Sequence, residues 1–533
     1  MSPVNLCRIL LVFCLVTPAC IKVGPDFTKP QATIAKDWLD AGDRRVKTES
    51  PEYRNWWKAF GDPTLDRLIE TAYRENLNLR IAGVRVLEAR AQLGVAIGEW
   101  FPQTQQAFGS LEKIRGSDHS PEAAVGRNLK YFQSEMGFRA TWELDFWGKF
   151  RRAIESADAS LLANIADYDN TLVSLTGDVA GSYISIRTLE KRLEIARQNV
   201  ETQRESLKIA TVKFQGGTTT QRDVEQAKTL LFNTEASIPS LEIQLRQAQN
   251  ALCVLLGMPP SRLADLLETP GVIPAPPPQV AVGIPADLLR RRPDIRSAEA
   301  QAAAQCAQIG VAKAELFPAF SLSGTFSFLA SDVGRFALGD MFQWRSRNAS
   351  GGPGFQWNIL NYGRLTNQVR VQDARFQELV ITYQNAVLKA QQEVEDALVA
   401  FLRSQLRAKL LAESTDAARR SLGLAVLQYR EGVTDFTTVL TAQQALLNEQ
   451  DSLASTLGDI SRNLVGVYRA LGGGWQLREG QDFVPQEVQA EMAKRTNWGA
   501  LLTPAAYAAS VSASNLGERE PGTGSAPSSP KKD

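Results

Sequence analysis

A cysteine at the end of an apolar run is the residue whose type and position most directly imply chemistry. Cys20 closes the stretch MSPVNLCRILLVFCLVTPAC, in which a weakly basic start leads into the apolar ILLVFCLV at 9–16, and the small Ala19 precedes the thiol. The apolar run is too short to span a bilayer and has the proportions of an export signal, residues 1–19. Cleavage after Ala19 would leave Cys20 first in the chain, ready for the acylation by which bacterial lipoproteins gain their lipid. A signal that merely contains cysteines, as it does at Cys7 and Cys14, is the other reading, since Thr17-Pro18-Ala19 departs from the Leu-Ala-Gly type that usually precedes such a thiol. Ile21 rather than Asp follows, so nothing in the lipoprotein sorting pattern retains the chain at an inner membrane.

Elsewhere the reactive residue types are scattered. His119 is the sole histidine, in a polar stretch that reads as a loop. Cys253 and Cys306 are the two thiols outside the signal region; they make no disulfide framework, and their helical faces suit small packing residues better than nucleophiles. The sequence holds no phosphate-binding loop, no zinc spacing and no serine elbow. The arginines of LRRRPDI (289–295) could suggest an anionic ligand, but their place just before a helix reads as structural. The expectation is a protein that is not an enzyme and uses no cofactor or metal. Of 533 residues, 44% are hydrophobic and 22% charged, with a net charge of +1, which gives no reason to expect nucleic acid as a partner.

With no catalytic cluster to place, the elements themselves carry the reading, and they occur twice. Shifted by 215 residues, Trp142, Gly148, Asp158, Gly217, Leu231 and Gly257 fall on Trp357, Gly363, Asp373, Gly432, Leu446 and Gly472 without a gap. Upstream, NLNLRIAGVRVLEARAQLGVAIGEWFP (76–102) falls on RPDIRSAEAQAAAQCAQIGVAKAELFP (292–318) with one residue of slippage. The chain reads as an internal duplication.

Each copy has an apolar seam with alternating steps of four and three. In the first it runs Leu161, Ile165, Tyr168, Leu172, Leu175, Val179, Ser182, Ile186, Leu189, Leu193, Ala196, Val200, Gln203, Leu207; in the second it runs from Phe376 and Val380 through Tyr383, Val387 and Val394 to Leu422. This spacing predicts coiled-coil helices on the order of 100 Å long, far beyond a globular core helix. Gly216-Gly217 in FQGGTTTQRDVE and Glu431-Gly432 in YREGVTDFTTVL end these helices. Partner helices are expected to start near Thr219 and Thr434, capped by threonine-type side chains, and to run back to Gly257 and Gly472. Each glycine phrase is then the tip of a helical hairpin.

Before each long helix the period changes to two. Phe132, Ser134, Met136, Phe138, Ala140, Trp142 and Leu144 alternate with Gln133, Glu135, Gly137, Arg139, Thr141 and Glu143; in the second copy Phe320, Leu322, Gly324, Phe326 and Phe328 alternate with serines and a threonine, and Phe355, Trp357 and Ile359 follow with Gln356 and Asn358 between them. A soluble sheet with one buried face would alternate likewise. Two strand pairs make four strands, too few for a closed membrane barrel, so a membrane reading requires copies of the chain to pool their strands.

These motifs together resemble the TolC family of outer-membrane efflux ducts, and within it NodT-like lipoproteins of RND-type efflux systems. The resemblance covers about residues 20–475 and rests on CIKVGPDFTKP, WWKAFGDPTLDRLIETAYRENLNLRIA, LLRRRPDIRSAEAQAAAQCAQIGVAKAELFP, WNILNYGRL and the closing LGGGW. It implies a mainly α fold with membrane β: a homotrimer whose long antiparallel coiled-coil helices form an α-barrel across the periplasm, below a 12-stranded outer-membrane β-barrel with four strands from each chain. It places Glu135, Arg139 and Glu143 toward the barrel lumen and Phe138 and Trp142 toward lipid. The hairpin tips would form the periplasmic gate and the surface met by an adaptor, with Gly216, Gly217 and Thr218 in the first and Tyr429, Gly432 and Val433 in the second. Thr438 and Thr441 stand where relatives often carry an acidic ring; Asp223 and Asp435 are the nearest carboxylates here.

The expected organisation is therefore a signal peptide (1–19), a lipid-anchored N-terminal segment (20–60), a first repeat (61–268, strand pair about 101–145), a proline-rich linker (269–285), a second repeat (286–475, strand pair about 317–360) and a C-terminal tail (476–533) with a disordered end. The expected function is a passive exit duct for small molecules in a tripartite pump, with a periplasmic adaptor (membrane fusion protein), an inner-membrane RND-type pump and outer-membrane lipid as partners. A duct for type I protein secretion and a lipid-anchored periplasmic scaffold without a channel are the alternatives.

Overall fold

The computed structural model describes residues 22–49, 52–117, 119, 130–267, 271–287, 291–332 and 337–502. Cys20, the signal region and residues 503–533 lie outside them. In chain order the elements are β1 (Val46–Lys47), α1 (Pro63–Glu75), α2 (Leu77–Gly98), β2 (Thr104–Arg115), β3 (Lys130–Leu144), α3 (Lys149–Gln215), α4 (Gln221–Leu255), α5 (Ala264–Leu267), β4 (Val280–Ala281), α6 (Pro293–Ala314), β5 (Ala319–Ser331), β6 (Arg347–Gln356), α7 (Arg364–Arg430), α8 (Phe436–Ala470) and α9 (Gln486–Arg495). The duplication extends to element lengths: α2 and α6 have 22 residues each, α3 and α7 67, and α4 and α8 35.

At 1.5 Å per residue, α3 and α7 are each about 100 Å long. The helices of each hairpin pack on each other, α3 with α4 and α7 with α8, and α3 also packs on α8, giving the lateral order α4–α3–α8–α7. On the sheet-proximal half of the rods, α2 and α6 lie along α3, and α6 also along α7. The predicted seam is what holds this together: every seam residue of α3 from Leu161 to Gln203 except Ser182 is buried, as are Tyr383, Val387, Ala390, Val394, Phe401 and Leu422 of α7. A seven-residue apolar repeat keeps one stripe facing its neighbours over many turns, so helices of this length stay in contact throughout.

A belt wraps the rods near mid-length. Asp62 starts α1 by accepting from the Thr64 amide at 2.9 Å, with Pro63 in the first turn, and the Tyr183 hydroxyl of α3 donates to the other Asp62 oxygen at 2.7 Å. That fixes the GDPTLD motif against the long helix. The N-terminal segment runs along α7, where Gln391 Nε2 donates to the Thr33 carbonyl at 3.0 Å and its Oε1 accepts from the Ala35 amide at 2.8 Å. Within the proline-rich stretch β4 pairs in parallel with β1, and Val280 and Val282 are buried. The region after Trp475 differs from the expectation of a tail through residue 502. Phe483, Val484 and Met492 are buried in the main core, and Arg478 forms a fork on the fully buried Asp169 at 2.6 and 3.1 Å. Its alternation of apolar residues is too short to stand out in sequence.

Of the arginines before α6, Arg291 and Arg292 are structural, and Arg290 lies outside the described residues. Arg292 donates to the Ala470 carbonyl at 2.8 Å and pairs with Glu393 and Asp294, and Arg291 lies over the Tyr53 ring at 3.5 Å. Cys253 and Cys306 are buried free thiols in packing positions, and burial pushes the Cys306 thiol pKa up. His119 is exposed in a turn between β2 and β3.

Candidate functional site

At one end of the rods lies a four-stranded antiparallel sheet in the order β2-β3-β5-β6. Its register places directly opposed residues on one face. Phe138 opposes Phe326, Met136 opposes Phe328, Trp142 opposes Leu322 and Leu144 opposes Phe320, giving one apolar face. Arg139 opposes Thr325, Thr141 opposes Ser323 and Glu143 opposes Ser321, giving a polar face. Phe138 and Phe355 are 68% and 71% exposed, too much apolar surface for a sheet meant to face water. Of the residues expected to line the lumen, Arg139 lies 5.1 Å over the Phe108 ring on the polar face, and Glu143 reaches Lys149 at 3.4 Å; Glu135 shares that face opposite Ser110 and Leu329. The Trp142 indole donates to the Trp100 carbonyl at 3.2 Å, tying the apolar face to the end of α2.

The last strand corrects one expectation. The reading of Phe355, Trp357 and Ile359 as strand puts it too late: β6 spans Arg347–Gln356, through Gly351, Gly352, Pro353 and Gly354, and ends before Trp357. Glycine and proline argue against a strand, but β6 pairs with β5 along its length, with Pro353 opposite Leu322. Among the described residues no helix is long and apolar enough to cross a membrane.

The hairpin tips lie at the far end of the rods. Gly217 and Gly432 have φ of +74° and +76°, the left-handed turn expected of them, and the amides of Thr218 and Val433 return to the carbonyls of Lys213 and Gln428 at 2.9 Å. The partner helices start two residues beyond Thr219 and Thr434, near the expected positions, but no threonine side chain caps them. Thr220 makes no side-chain cap bond, while in the second tip Asp435 accepts from the Thr438 amide at 3.1 Å and its hydroxyl at 2.9 Å. Asp435 occupies the cap position itself and its carboxylate carries full charge, so it and not the neighbouring Thr434 takes that amide.

The tip residues divide by burial. Gly216, Gly217, Thr218, Gly432, Val433, Asp435, Thr438 and Thr441 are exposed at the ends. Tyr429 and Asp223 are 5% and 7% exposed, enclosed between the two hairpins of one chain. Tyr429 packs its ring 5.0 Å from Phe436 in a small core formed by Ala210, Val224 and Ala227 of the first hairpin with Leu422, Val439 and Leu446 of the second. Asp223 accepts from the Thr219 hydroxyl and, at 3.2 Å, from the Thr220 hydroxyl. Burial pushes the Tyr429 hydroxyl pKa up; the Thr219 hydroxyl opposes this and the Asp223 carboxylate adds to it. Lys213, which the motif reading passed over, donates to the Tyr429 and Arg430 carbonyls at 2.6 and 3.2 Å. Its signal in the sequence is a lone lysine in the last turn of a helix, common enough to carry no weight.

A chain built of two long helical hairpins, with a membrane-type sheet at one end and paired tips at the other, has the form of a duct component. A family model described as outer membrane efflux protein matches residues 68–258 and 284–473. The chain belongs to the outer membrane efflux protein family. It is 30% identical over 468 residues to nodulation protein T of Rhizobium leguminosarum bv. trifolii, covering 87% of this chain and 96% of that one. It is 32% identical over 478 residues to the pyoverdine export outer membrane protein OpmQ of Pseudomonas aeruginosa, covering 88% and 96%. Among solved structures it superposes on the outer-membrane channel OprN with a TM-score of 0.79 at 33% identity, covering 85% of this chain and 99% of that one. Its function is that of an efflux exit duct, and its relatives are transport proteins of the outer membrane.

Proposed function

We propose that three copies close into one tube, a twelve-stranded barrel in the outer membrane continuous with a twelve-helix barrel in the periplasm, which passively conducts small molecules delivered by an inner-membrane RND-type pump through a periplasmic adaptor. The observation that carries this is the pair of open edges. The β2 and β6 edges of the sheet have no partner strand among the described residues, and an edge in lipid must be paired. The outermost helices α4 and α7 also expose apolar residues, among them Phe232, Ile243, Leu388 and Leu410. Different surfaces at the two edges require a head-to-tail interface, which is finite only if it closes as a ring. Three copies of four strands give an even number within the range of membrane barrels.

In this tube Phe138 and Trp142 face lipid, Glu135, Arg139 and Glu143 face the lumen, and the hairpin tips form the gate and the adaptor's landing surface. Tyr429 and Asp223, enclosed between hairpins, hold the tips together, while the exposed Val433 and Thr218 are available to the adaptor. The export role named for OpmQ favours small molecules over secreted proteins as cargo. Acylation of Cys20 fits its nearness in the chain to Lys22 and Val23: the Val23 amide donates to the Trp147 carbonyl, and Gly148 lies against Lys22, at the junction of sheet and helices. A lipid two residues upstream of Lys22 is tethered within about 7 Å of that junction.

Two measurements test the reading. Full-length protein in planar bilayers should conduct as a homotrimer of fixed mass by light scattering; a folded trimer without conductance would instead support a scaffold, and a monomer would end the ring model. Cys20→Ser should abolish palmitate labelling, and labelling that persists would remove the anchor.

A further inference from the structure

Six polar side chains on α3 stand seven residues apart, at 178, 185, 192, 199, 206 and 213, and all six reach the second hairpin. Asp178 accepts from Arg469 at 2.8 Å and Ser185 from Arg462 at 3.4 Å. Arg192 forks onto Asp451 at 2.7 and 3.0 Å, Asn199 donates to Gln450 at 2.8 Å, and Ser206 accepts from Gln443 at 2.6 Å. These five meet α8, whose partner numbers fall as those on α3 rise, because the helices are antiparallel. The sixth, Lys213, reaches past the start of α8 to the end of α7: its ammonium donates to the Tyr429 and Arg430 carbonyls and lies 4.6 Å over the Tyr429 ring. A seven-residue interval keeps all six on one stripe beside the apolar seam.

We propose that this stripe is a registering ladder between the two hairpins of a chain, and that Lys213, its last rung, is the releasable latch of the tip. The inference rests on the reading of the tips as the gate. The first five rungs join side chains along paired helices, and Asn199, Ser206 and Gln443 are buried. Lys213 alone among the six binds backbone at a helix end, where the last carbonyls lack intrahelical partners and carry the negative end of the helix dipole. It is a charge-assisted cap supplied by one hairpin to the other. The position matching Lys213 in the second repeat is Gln428, whose side chain is exposed, so the second repeat carries no such cation at this place. Loss of the latch frees the last turn while five rungs hold the rods, which lets the tip part without dissolving the assembly.

The test measures the open fraction in planar bilayers with full-length protein. Lys213→Met keeps the stem and removes the charge. The expected result is an open fraction about tenfold higher than wild type, with trimer mass unchanged, since a charge-assisted bond to the two carbonyls at the end of α7 is lost. Lys213→Arg should stay near wild type. Lys213→Gln, which copies the residue at 428, provides a second neutral variant should the methionine assemble poorly. If both neutral variants match wild type while Asp223→Asn opens the channel, the latch is overturned and the gate stands. If none of these, nor Tyr429→Ala, changes a conducting trimer, the gate reading itself falls.

Discussion

Gly458 of α8 sits against Thr188 of α3, and the structure sets the cost of replacing it. A Cβ there would lie 2.2 Å from the Thr188 hydroxyl oxygen, 2.8 Å from its methyl and 3.0 Å from its Cβ. Both branches of Thr188 and the Cβ that carries them are in the way, so turning the side chain leaves the Cβ contact in place. Thr188 is itself buried, and its hydroxyl donates to the Ile184 carbonyl at 2.7 Å. Gly458→Ala therefore forces the helices apart by about 1 Å, and overpacking of this kind costs about 1–3 kcal/mol. Alanine's better helix propensity returns about 1 kcal/mol. With every branch blocked the upper figure applies, leaving a net loss of about 2 kcal/mol. Melting of the purified protein followed by helical circular dichroism should fall by a few degrees. Thr188→Ala in the same chain removes the two nearer atoms and should restore most of the loss, a coupling of about 1 kcal/mol or more. A Gly458→Ala protein as stable as wild type, or a double variant that is simply the sum of its parts, would show that the two helices do not meet in this register.

The other expectations are local. Gly217→Val and Gly432→Val have open space for a side chain but demand a left-handed backbone, so each should cost about 1–2 kcal/mol at the tip alone; pump activity and adaptor co-purification should drop while trimer mass holds, and equal loss of both would contradict this. Arg478→Met leaves Asp169 buried with only the Arg296 contact at 3.4 Å, and breaking such a pair costs about 3–5 kcal/mol; limited proteolysis should then cut within 475–502, with partial protection regained in the Asp169→Asn double variant. Tyr429 has a raised pKa in the folded tip, so its contribution is fully present below pH 10 and lost as pH rises through the folded value. Conductance should therefore climb in alkali more steeply for wild type than for Tyr429→Phe, and identical profiles would exclude the hydroxyl.

What the sequence discloses follows from how far each signal extends. The rods were legible because a seven-residue apolar repeat sustained from Leu161 to Leu207 has no other stable packing, and the tips because glycine falls at 217 and again at 432. Strand β6 was misplaced because its residues, RNASGGPGFQ, have poor strand propensity, and its pairing with β5 overrides that preference. The docked segment after Trp475 was missed because its anchor is a single long-range pair, Arg478 with Asp169, 309 residues apart. The ladder from Asp178 to Lys213 shares the period of the seam, yet polar residues on a long amphipathic helix are ordinarily its wet face, so period alone did not separate rung from surface. Only the position of α8 does.

The two tips began as copies and now differ in where they keep one carboxylate. In the second, Asp435 occupies the cap position with Thr438 three residues on; in the first, Thr220 is at the cap with Asp223 three residues on, the same pair exchanged. At the cap a carboxylate serves its own helix and stays in solvent, as Asp435 does. One turn further in it is enclosed, and Asp223 lies buried near Tyr429 with hydroxyls of Thr219 and Thr220 of its own tip donating to it. The first tip has given up a side-chain cap to place a charge between hairpins, at a cost of about 1 kcal/mol to the start of α4. Exchanging the pair again, as Thr220→Asp with Asp223→Thr, should reverse both effects: amide exchange in the first turn of α4 slows, while the open fraction of the duct rises. Slower exchange without a change in conductance would mean that the carboxylate at 223 does nothing for closure, and that Tyr429 is held by packing against Phe436 and by Lys213 alone.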